Sequence, residues 1–338
     1  MRTPLLSLML CVMVAVESTT IKYVQKKQGK DIPSEQLVFL VEIFKLIVSI
    51  ATYYAYTIPS EREKERYGPA IAPERTPLVA DNHSEEFAQT SETTETVADP
   101  LERPGNSSII WFLLPAFLYA VSNNVTFAAL MLMSPALFNL LMNLKIPLTG
   151  FMACGLLGYK LTPNLATSFV FLFVGSIFAT LKRSNGEWDV EGSVYGLILM
   201  FVYAFCSAGA AVYTEYVTKS RYPHESINLQ NIKFCICSVL ANSILMAIRG
   251  SIPFTTFQPI HLASVAALGM NGLVTSAVLK YAGSIVKTYA VSCAAFLAAL
   301  FTWLLFSQTL QWNFYVGGVV CALSVQLYIY EKSKATED

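Results

Sequence analysis

The sequence predicts an all-α membrane protein with ten transmembrane helices. Of the 338 residues, 54% are hydrophobic and only 14% are charged, whereas about a quarter of the residues in a soluble domain are charged. Ten runs of about 20 mostly apolar residues lie along the chain, and this length crosses a bilayer core of about 30 Å. The runs do not alternate polar and apolar residues, and backbone in lipid must satisfy its own hydrogen bonds, so we expect helices.

The first apolar run is interpreted as a transmembrane span. Met1-Arg2 followed by an apolar stretch is also typical of a signal peptide. However, no small-residue cleavage site is clear before Glu17, and the run continues to about Ile21. In chain order, the ten predicted spans are residues 4–22, 36–58, 109–131, 135–157, 164–181, 193–217, 230–248, 262–281, 285–307 and 312–330.

One clear interruption, residues 59–108, divides the chain. It is polar, acidic and rich in Ser, Thr and Pro, so it cannot bury enough apolar surface to fold and is predicted to be a disordered loop. The predicted parts are residues 1–58 with the first two helices, the 59–108 loop, residues 109–331 with helices three to ten, and a tail over residues 332–338. The seven cysteines lie mostly inside spans without metal-ligand spacing, which favours buried apolar roles.

Lysine and arginine counts predict that both termini and the 59–108 loop are cytosolic. Ten spans place both termini on one side, and that side carries eleven Lys and Arg residues against seven on the other. Positive residues favour the cytosolic side. The sequons at Asn82 and Asn106 would then stay unmodified, and glycosylation there would overturn this topology. A net charge of zero without a basic stripe argues against a nucleic-acid partner.

A faint internal repeat predicts two inverted five-helix halves. The stretches LLGYKLTPN (156–164) and LLFSQTLQWN (304–313) each close one span and open the next. Each is followed by an early glycine, in FVG (173–175) and in VGG (316–318). Spans four and five would therefore correspond to spans nine and ten, in opposite orientation, as in many transporters.

Ionisable side chains within the spans are candidate functional residues, because each costs about 2.5–3.5 kcal/mol to insert. Glu42 and Lys45 are three residues apart on one helix face, so they either pair with each other or act at a substrate. Lys145 and Lys280 have no carboxylate within one helical turn, and a Gly-Ser interruption follows Lys280. These two lysines either bind an anionic ligand such as a diphosphate or pair with a remote carboxylate such as Glu17 or Glu42. The full set is Glu17, Glu42, Lys45, Lys145, Glu215, Lys233, Lys280 and Lys287.

Polar amides in the third span are a second group of candidates. Asn123 and Asn124 follow Ser122 and lie close to Tyr119 in the sequence. Buried amides require hydrogen-bond partners. They could either join neighbouring helices or bind the edge of a base, and the residue chemistry fits both roles.

A set of ordered motifs resembles the nucleotide-sugar transporters of the Golgi and endoplasmic reticulum. The resemblance is to the CMP-sialic acid / UDP-galactose / UDP-N-acetylglucosamine branch of the drug/metabolite transporter superfamily. It covers nearly the whole chain outside the 59–108 loop. The motifs are PAFLYAVSNNVTFAAL, NLLMNLKIPLTGF, VEIFKLIVS, CSAGAAVYTEYV, SINLQNIKF and GLVTSAVLKYAGSIVKTYAVS.

The resemblance implies a multi-pass Golgi-membrane antiporter, with the endoplasmic reticulum membrane as the alternative location. It implies exchange of a cytosolic pyrimidine nucleotide sugar (a UDP-sugar or CMP-sialic acid) for lumenal UMP or CMP by alternating access. Such exchange involves no covalent chemistry, metal or cofactor, so the protein is not expected to be an enzyme. The implied partners are the nucleotide sugar, the nucleoside monophosphate and the bilayer, and homo-oligomer formation stays open.

The resemblance also implies roles for particular residues. By position, it assigns base and ribose contacts to Tyr119, Asn123 and Asn124, and places Asn231 near the nucleotide. It assigns phosphate binding to Lys145 and Lys280. The chain departs from the family pattern at Phe138, Asn139, Asn143, Ala208, Ala211, Cys235, Cys237 and Gly283-Ser284.

These departures keep other functions open. The added methyl groups of Ala208 and Ala211, where the family has glycine, could narrow the pocket. The protein could be a divergent member with an altered sugar preference, or a non-transporting scaffold whose 59–108 loop binds partners. It could also export another small metabolite, a role that would favour an apolar central cavity. The sequence does not identify the sugar.

Overall fold

The computed structural model describes residues 2–28, 34–59, 106–130, 132–180, 183–184, 187–188, 193–249, 261–306 and 311–337. Residues 60–105 of the predicted loop lie outside these ranges. Short π-helical turns extend α2 and α7 over Tyr53–Thr57 and Tyr216–Arg221. Among the described residues, the α-helices are α1 Arg2–Gln28, α2 Ser34–Thr52, α3 Ile110–Leu130, α4 Pro135–Met142, α5 Lys145–Leu157, α6 Pro163–Thr180, α7 Val194–Glu215, α8 Ile227–Arg249, α9 His261–Tyr281, α10 Ser284–Phe306 and α11 Trp312–Glu337.

The helices confirm an all-α, polytopic membrane protein. Within the described ranges, 8 stretches are long and apolar enough to cross a membrane, and they coincide with predicted spans two and four to ten. The first and third predicted spans contain the shorter apolar stretches Pro4–Thr20 and Ile110–Thr126. The other regular structure in these ranges is a 3-10 helix over Asn106–Ile109 and a short antiparallel ribbon of β1 (Arg183–Ser184) and β2 (Glu187–Trp188).

Large apolar side chains face outward along the bundle. Phe151 is 77% exposed and Ile248 is 76% exposed, and a soluble protein rarely presents an apolar surface of this extent. Between the helices, an apolar cluster that includes Leu172, Val212 and Tyr289 joins α5, α6, α7 and α10. The outer surface therefore matches lipid, while the charged groups of the spans lie inside.

Predicted span four is interrupted just before Lys145. The N–H groups of Asn143 and Leu144 bond to the carbonyls of Leu140 (3.2 Å) and Leu141 (3.0 Å), so the backbone tightens into a 3-10 turn between α4 and α5. Such a turn within a helix often marks a hinge. Lys145 lies within predicted span four and is the first residue of α5.

The helices pack mainly in pairs, with α3 along α7, α6 along α11, α1 against α9 and α10, and α2 against α8 and α9. The α6–α11 pair is closest at Gly175 and Gly317, where a methyl group on Gly317 would lie 2.5 Å from the carbonyl oxygen of Gly175. Small residues permit this close approach of membrane helices. These are two of the glycines from which the sequence repeat was predicted.

The turn between α9 and α10 closes around a buried carboxylate. Gly283 has a φ of +105°, and a side chain there would lie 2.5 Å from Oε1 of Glu215. The Glu215 carboxylate accepts hydrogen bonds from the Ser284 N–H (2.6 Å), the Tyr159 hydroxyl (2.7 Å) and the Lys219 ammonium (2.8 Å). Burial and this carboxylate raise the pKa of the Tyr159 hydroxyl, which therefore stays a donor. Glycine at 283 gives the carboxylate room to cap α10.

Candidate functional site

The polar groups of the interior gather around Tyr119 on α3. Its ring packs edge-on against Phe234 of α8, with ring centroids 6.0 Å apart. The ammonium of Lys287 donates to the Tyr119 hydroxyl at 3.2 Å and lies 5.5 Å from the centroid of its ring. Lys45 and Lys145 also interact electrostatically with Tyr119. Cationic side chains from α2, α5 and α10 thus converge on one aromatic residue.

Lys145 and Lys287 lie close enough for their like charges to interact. Among the described residues, neither ammonium forms an ion pair with a carboxylate, and the Lys145 ammonium makes no hydrogen bond. The carboxylate of Glu17 interacts electrostatically with Lys145, but the hydrogen bond to this carboxylate comes from the Asn271 amide. Two neighbouring ammonium groups without ion-pair partners form a site for an anion.

The predicted local pair of Glu42 and Lys45 is confirmed. Both side chains are buried, and the carboxylate and ammonium are 2.7 Å apart. The Lys45 ammonium lies 5.5 Å from the centroid of the Phe234 ring. Its stem runs along Gly272, where a methyl group would lie 2.7 Å from Cδ of Lys45. Because Lys45 already has a counter-charge, it is less available to a ligand than Lys145 and Lys287.

The predicted amides lie on α3, which carries Tyr119, and on α8, whose Phe234 packs against the Tyr119 ring. Asn124 donates from Nδ2 to the carbonyl of Ala120 at 2.8 Å, within α3. Asn123 is one helical turn from Tyr119 on the same helix and is half-buried. Asn231 is buried on α8, three residues before Phe234. Asn123 and Asn231 make no hydrogen bond through their side chains in the part of the chain that the structure describes, which fits residues that bind a ligand.

Lys280 belongs to a different set of contacts. Its ammonium donates to the backbone carbonyl of Glu225 and to Oε1 of Gln230 at 3.0 Å. The Glu225 carboxylate in turn pairs with Lys233 at 2.5 Å, and Lys233 also donates to the Ser108 hydroxyl at 2.6 Å. The Lys280 ammonium therefore has two hydrogen-bond partners but forms no ion pair with a carboxylate among the described residues. Phosphate binding by Lys280 stays a prediction.

Four departures from the family pattern lie on α7 and α8. Ala208 and Ala211 are buried within α7. Cys237 donates to a backbone carbonyl just before α3, with its sulfur 3.6 Å from that oxygen. Cys235 is buried close enough to Lys45 for an electrostatic interaction, so it is the departure that lies nearest to the polar interior in this group.

Lys287 is a site residue that was not predicted from the sequence. It is ionisable and lies within a predicted span, but Lys280, seven residues earlier, was favoured. A signal was present, because Lys287 lies in the first turn after the Gly283 interruption, and such interruptions mark binding sites in transporters. The structure brings together Tyr119, Lys145 and Lys287, with Asn123 on the same helix as Tyr119 and Asn231 on the helix that packs against it.

These features define a polytopic membrane protein with an internal cluster of positively charged side chains, which is the candidate site. The sequence profile named Nucleotide-sugar transporter matches residues 83–329, and the chain belongs to this family. CMP-sialic acid transporter 2 of Oryza sativa subsp. indica is 30% identical over 221 residues, which are 64% of this chain and 62% of that protein. The chain thus matches less than two thirds of the length of this relative.

A second relative and a solved structure are also similar to the chain. UDP-galactose transporter senju of Drosophila melanogaster is 25% identical over 264 residues, which are 66% of this chain and 67% of that protein. A solved crystal structure superposes with a TM-score of 0.66 over 97% of this chain and 98% of the other chain, at 12% sequence identity. At this identity, the likeness shows a shared fold.

Proposed function

We propose that the protein is a Golgi-membrane antiporter that exchanges a cytosolic pyrimidine nucleotide sugar for lumenal UMP or CMP. Membership of the family supports nucleotide-sugar transport, and the relatives are named for CMP-sialic acid and UDP-galactose. The observation that carries the proposal is the pair of neighbouring lysines, Lys145 and Lys287, which lack ion-pair partners among the described residues. An incoming phosphate supplies the missing counter-charge.

In the proposed binding mode, the phosphate groups lie between Lys145 and Lys287. Ammonium groups bind phosphate oxygens as point charges, and the removal of water from the interior strengthens that attraction. The Tyr119 hydroxyl fixes the Lys287 ammonium. Asn123 and Asn231 bind the base or ribose through their free amide groups. All these interactions are reversible, and the binding mode requires no covalent step or cofactor.

Alternating access is proposed to use the two helix interruptions. The 3-10 turn at Asn143–Leu144 immediately precedes Lys145, and the turn at Gly283 precedes Lys287 by one helical turn. Movement at either interruption therefore moves a phosphate-binding lysine. Ten helices in two inverted five-helix halves, with cytosolic termini, would rock around this site. The close contact of Gly175 and Gly317, one from each half, supports this arrangement.

Exchange in proteoliposomes tests the proposal. Vesicles that contain the full chain and are preloaded with UMP or CMP should take up a labelled nucleotide sugar, and empty vesicles should not. Lys145→Ala should abolish this uptake, because it removes one of the two groups that hold the phosphate. Lys160→Ala is the matched control, since Lys160 is exposed in the loop between α5 and α6.

The same assay separates the alternatives. If the folded protein takes up none of the UDP-sugars or CMP-sialic acid, a non-transporting scaffold is favoured. If uptake occurs but Lys145→Ala leaves it unchanged, the phosphate site is assigned wrongly. Lys280→Ala tested in parallel shows whether the lysine implied by the family resemblance contributes.

A further inference from the structure

Glu17 presents a carboxylate to the same interior from α1. Residues one and two turns earlier on this face, Leu10 and Cys11 among them, pack against Val274 of α9 and against α10. Asn271 lies on α9 three residues before Val274, and its side-chain amide donates a hydrogen bond to the Glu17 carboxylate. This contact joins residues 254 positions apart in the sequence. The pair therefore continues the α1–α9 interface from its apolar part into the polar interior.

The pair of Glu17 and Asn271 borders the lysine site. Glu17 interacts electrostatically with Lys145. Asn271 precedes Gly272, along which the Lys45 stem lies. Lys45 does not neutralise Glu17, because its ammonium is bound to Glu42 at 2.7 Å. A ligand with its phosphate at Lys145 would thus have its next groups within reach of Glu17 and Asn271.

Both side chains offer hydrogen-bond acceptors that the protein leaves unused. A carboxylate only accepts hydrogen bonds, so the Asn271 amide must direct its nitrogen to Glu17 and its oxygen elsewhere. That oxygen is buried without a hydrogen-bond partner among the described residues. The Oε2 atom of Glu17 accepts the amide, and Oε1 makes no hydrogen bond within the described ranges. A buried acceptor without a donor is unfavourable, and a ligand that supplies donors would relieve this cost.

We propose that Glu17 and Asn271 contact the sugar of the substrate and select neutral, hydroxyl-bearing sugars against sugars that carry a carboxylate. This inference rests on the proposed function and deepens it. A sugar hydroxyl donates to the free acceptors of both residues. A sugar carboxylate offers only acceptors, and its negative charge would face the negative charge of Glu17.

The charges of the site support the same selection. The diphosphate of a UDP-sugar carries two negative charges, which match the ammonium groups of Lys145 and Lys287. A carboxylate on the sugar adds a third negative charge, and no further unpaired ammonium lies among the described residues around Tyr119. Placing like charges together in a desolvated site is strongly unfavourable. UDP-sugars whose sugar group is uncharged are therefore the substrate class that fits best.

Competition between UDP-glucose and UDP-glucuronate tests this inference, because the two differ only in a hydroxymethyl or carboxylate group on the sugar. The assay measures inhibition of labelled UMP uptake by UMP-loaded proteoliposomes that contain the full chain. UDP-glucose should inhibit UMP uptake by the wild-type protein at least about tenfold more strongly than UDP-glucuronate does. This ratio corresponds to about 1.4 kcal/mol. Glu17→Gln keeps the shape and the acceptor but removes the charge, so the ratio should fall toward one through stronger inhibition by UDP-glucuronate.

The controls separate the two proposals. UMP lacks a sugar substituent on its phosphate, so UMP self-exchange is measured first for the wild-type protein and for Glu17→Gln, and inhibition by each nucleotide sugar is expressed relative to that protein's own exchange. Glu331→Gln, which alters a carboxylate that bonds to Asn164 at 2.8 Å at the end of α11, should keep the wild-type ratio. UMP exchange with equal inhibition by both sugars in the wild-type protein, or an unchanged ratio in Glu17→Gln, would overturn the sugar assignment alone. Exchange of CMP but not of UMP would also overturn the sugar assignment alone. Exchange of neither UMP nor CMP by the folded wild-type protein would overturn the proposed function, and this inference with it.

Discussion

Replacement of Lys287 by alanine removes one of the two ammonium groups proposed to hold phosphate. A hydrogen bond to a charged group contributes about 1.5–3 kcal/mol, and each 1.4 kcal/mol is about a factor of ten in affinity. UMP affinity should therefore fall about 10- to 150-fold. In the empty protein, the same change removes the 3.2 Å bond to the Tyr119 hydroxyl and the contact of the ammonium with the Tyr119 ring, and it relieves repulsion from Lys145. The free energy of unfolding should therefore change by less than about 1 kcal/mol.

Two measurements on the purified protein separate binding from folding. The unfolding midpoint without ligand should stay near the wild-type value in Lys287→Ala, while the increase in the midpoint caused by added UMP should be lost. Lys287→Arg keeps a positive charge and should retain part of that increase. Lys160→Ala should behave as wild type. A Lys287→Ala protein that unfolds at a much lower temperature but keeps the wild-type UMP affinity would refute the reasoning and leave Lys287 a structural role.

Three further substitutions and one control substitution test individual contacts. Gly283→Ala should lower the free energy of unfolding by about 1–3 kcal/mol, because its φ is +105° and the new methyl group would lie 2.5 Å from a buried carboxylate. Gly155→Ala on α5, with open space around the new methyl group, should not destabilise the protein in the same denaturation experiment. Tyr119→Phe should weaken UMP binding by about 0.5–1.5 kcal/mol in calorimetric titration, since it removes one neutral acceptor and keeps the ring; an unchanged affinity would contradict the role of the hydroxyl. Lys280→Ala should cost stability and leave UMP affinity unchanged, and a loss of affinity as large as that of Lys287→Ala would restore Lys280 as a phosphate ligand.

The pattern of spans could be predicted because it depends on local properties. A stretch such as Phe151 and its neighbours crosses the membrane because its length and hydropathy suffice, whatever surrounds it. The ion pair of Glu42 and Lys45 was predictable for a related reason, since residues three apart on a helix are neighbours by geometry. Tyr119 and Lys145 were named as site residues from their chemistry and family resemblance, and the structure places them together.

Only the tertiary structure decided which lysine joins Lys145. Lys280 and Lys287 are seven residues apart, and an uninterrupted helix would place both on the same face after about two turns. The positive φ of Gly283 breaks that phase, so Lys280 turns to Glu225 and Gln230 while Lys287 turns to Tyr119. Glu17 and Asn271 likewise meet only because α1 packs along α9. The sequence by itself determined that charges lie inside the membrane helices. The turn at Gly283 and the packing of distant helices decided which of these charges face one another. The reason is that side-chain direction beyond a helix break depends on backbone angles, which the order of residues does not specify.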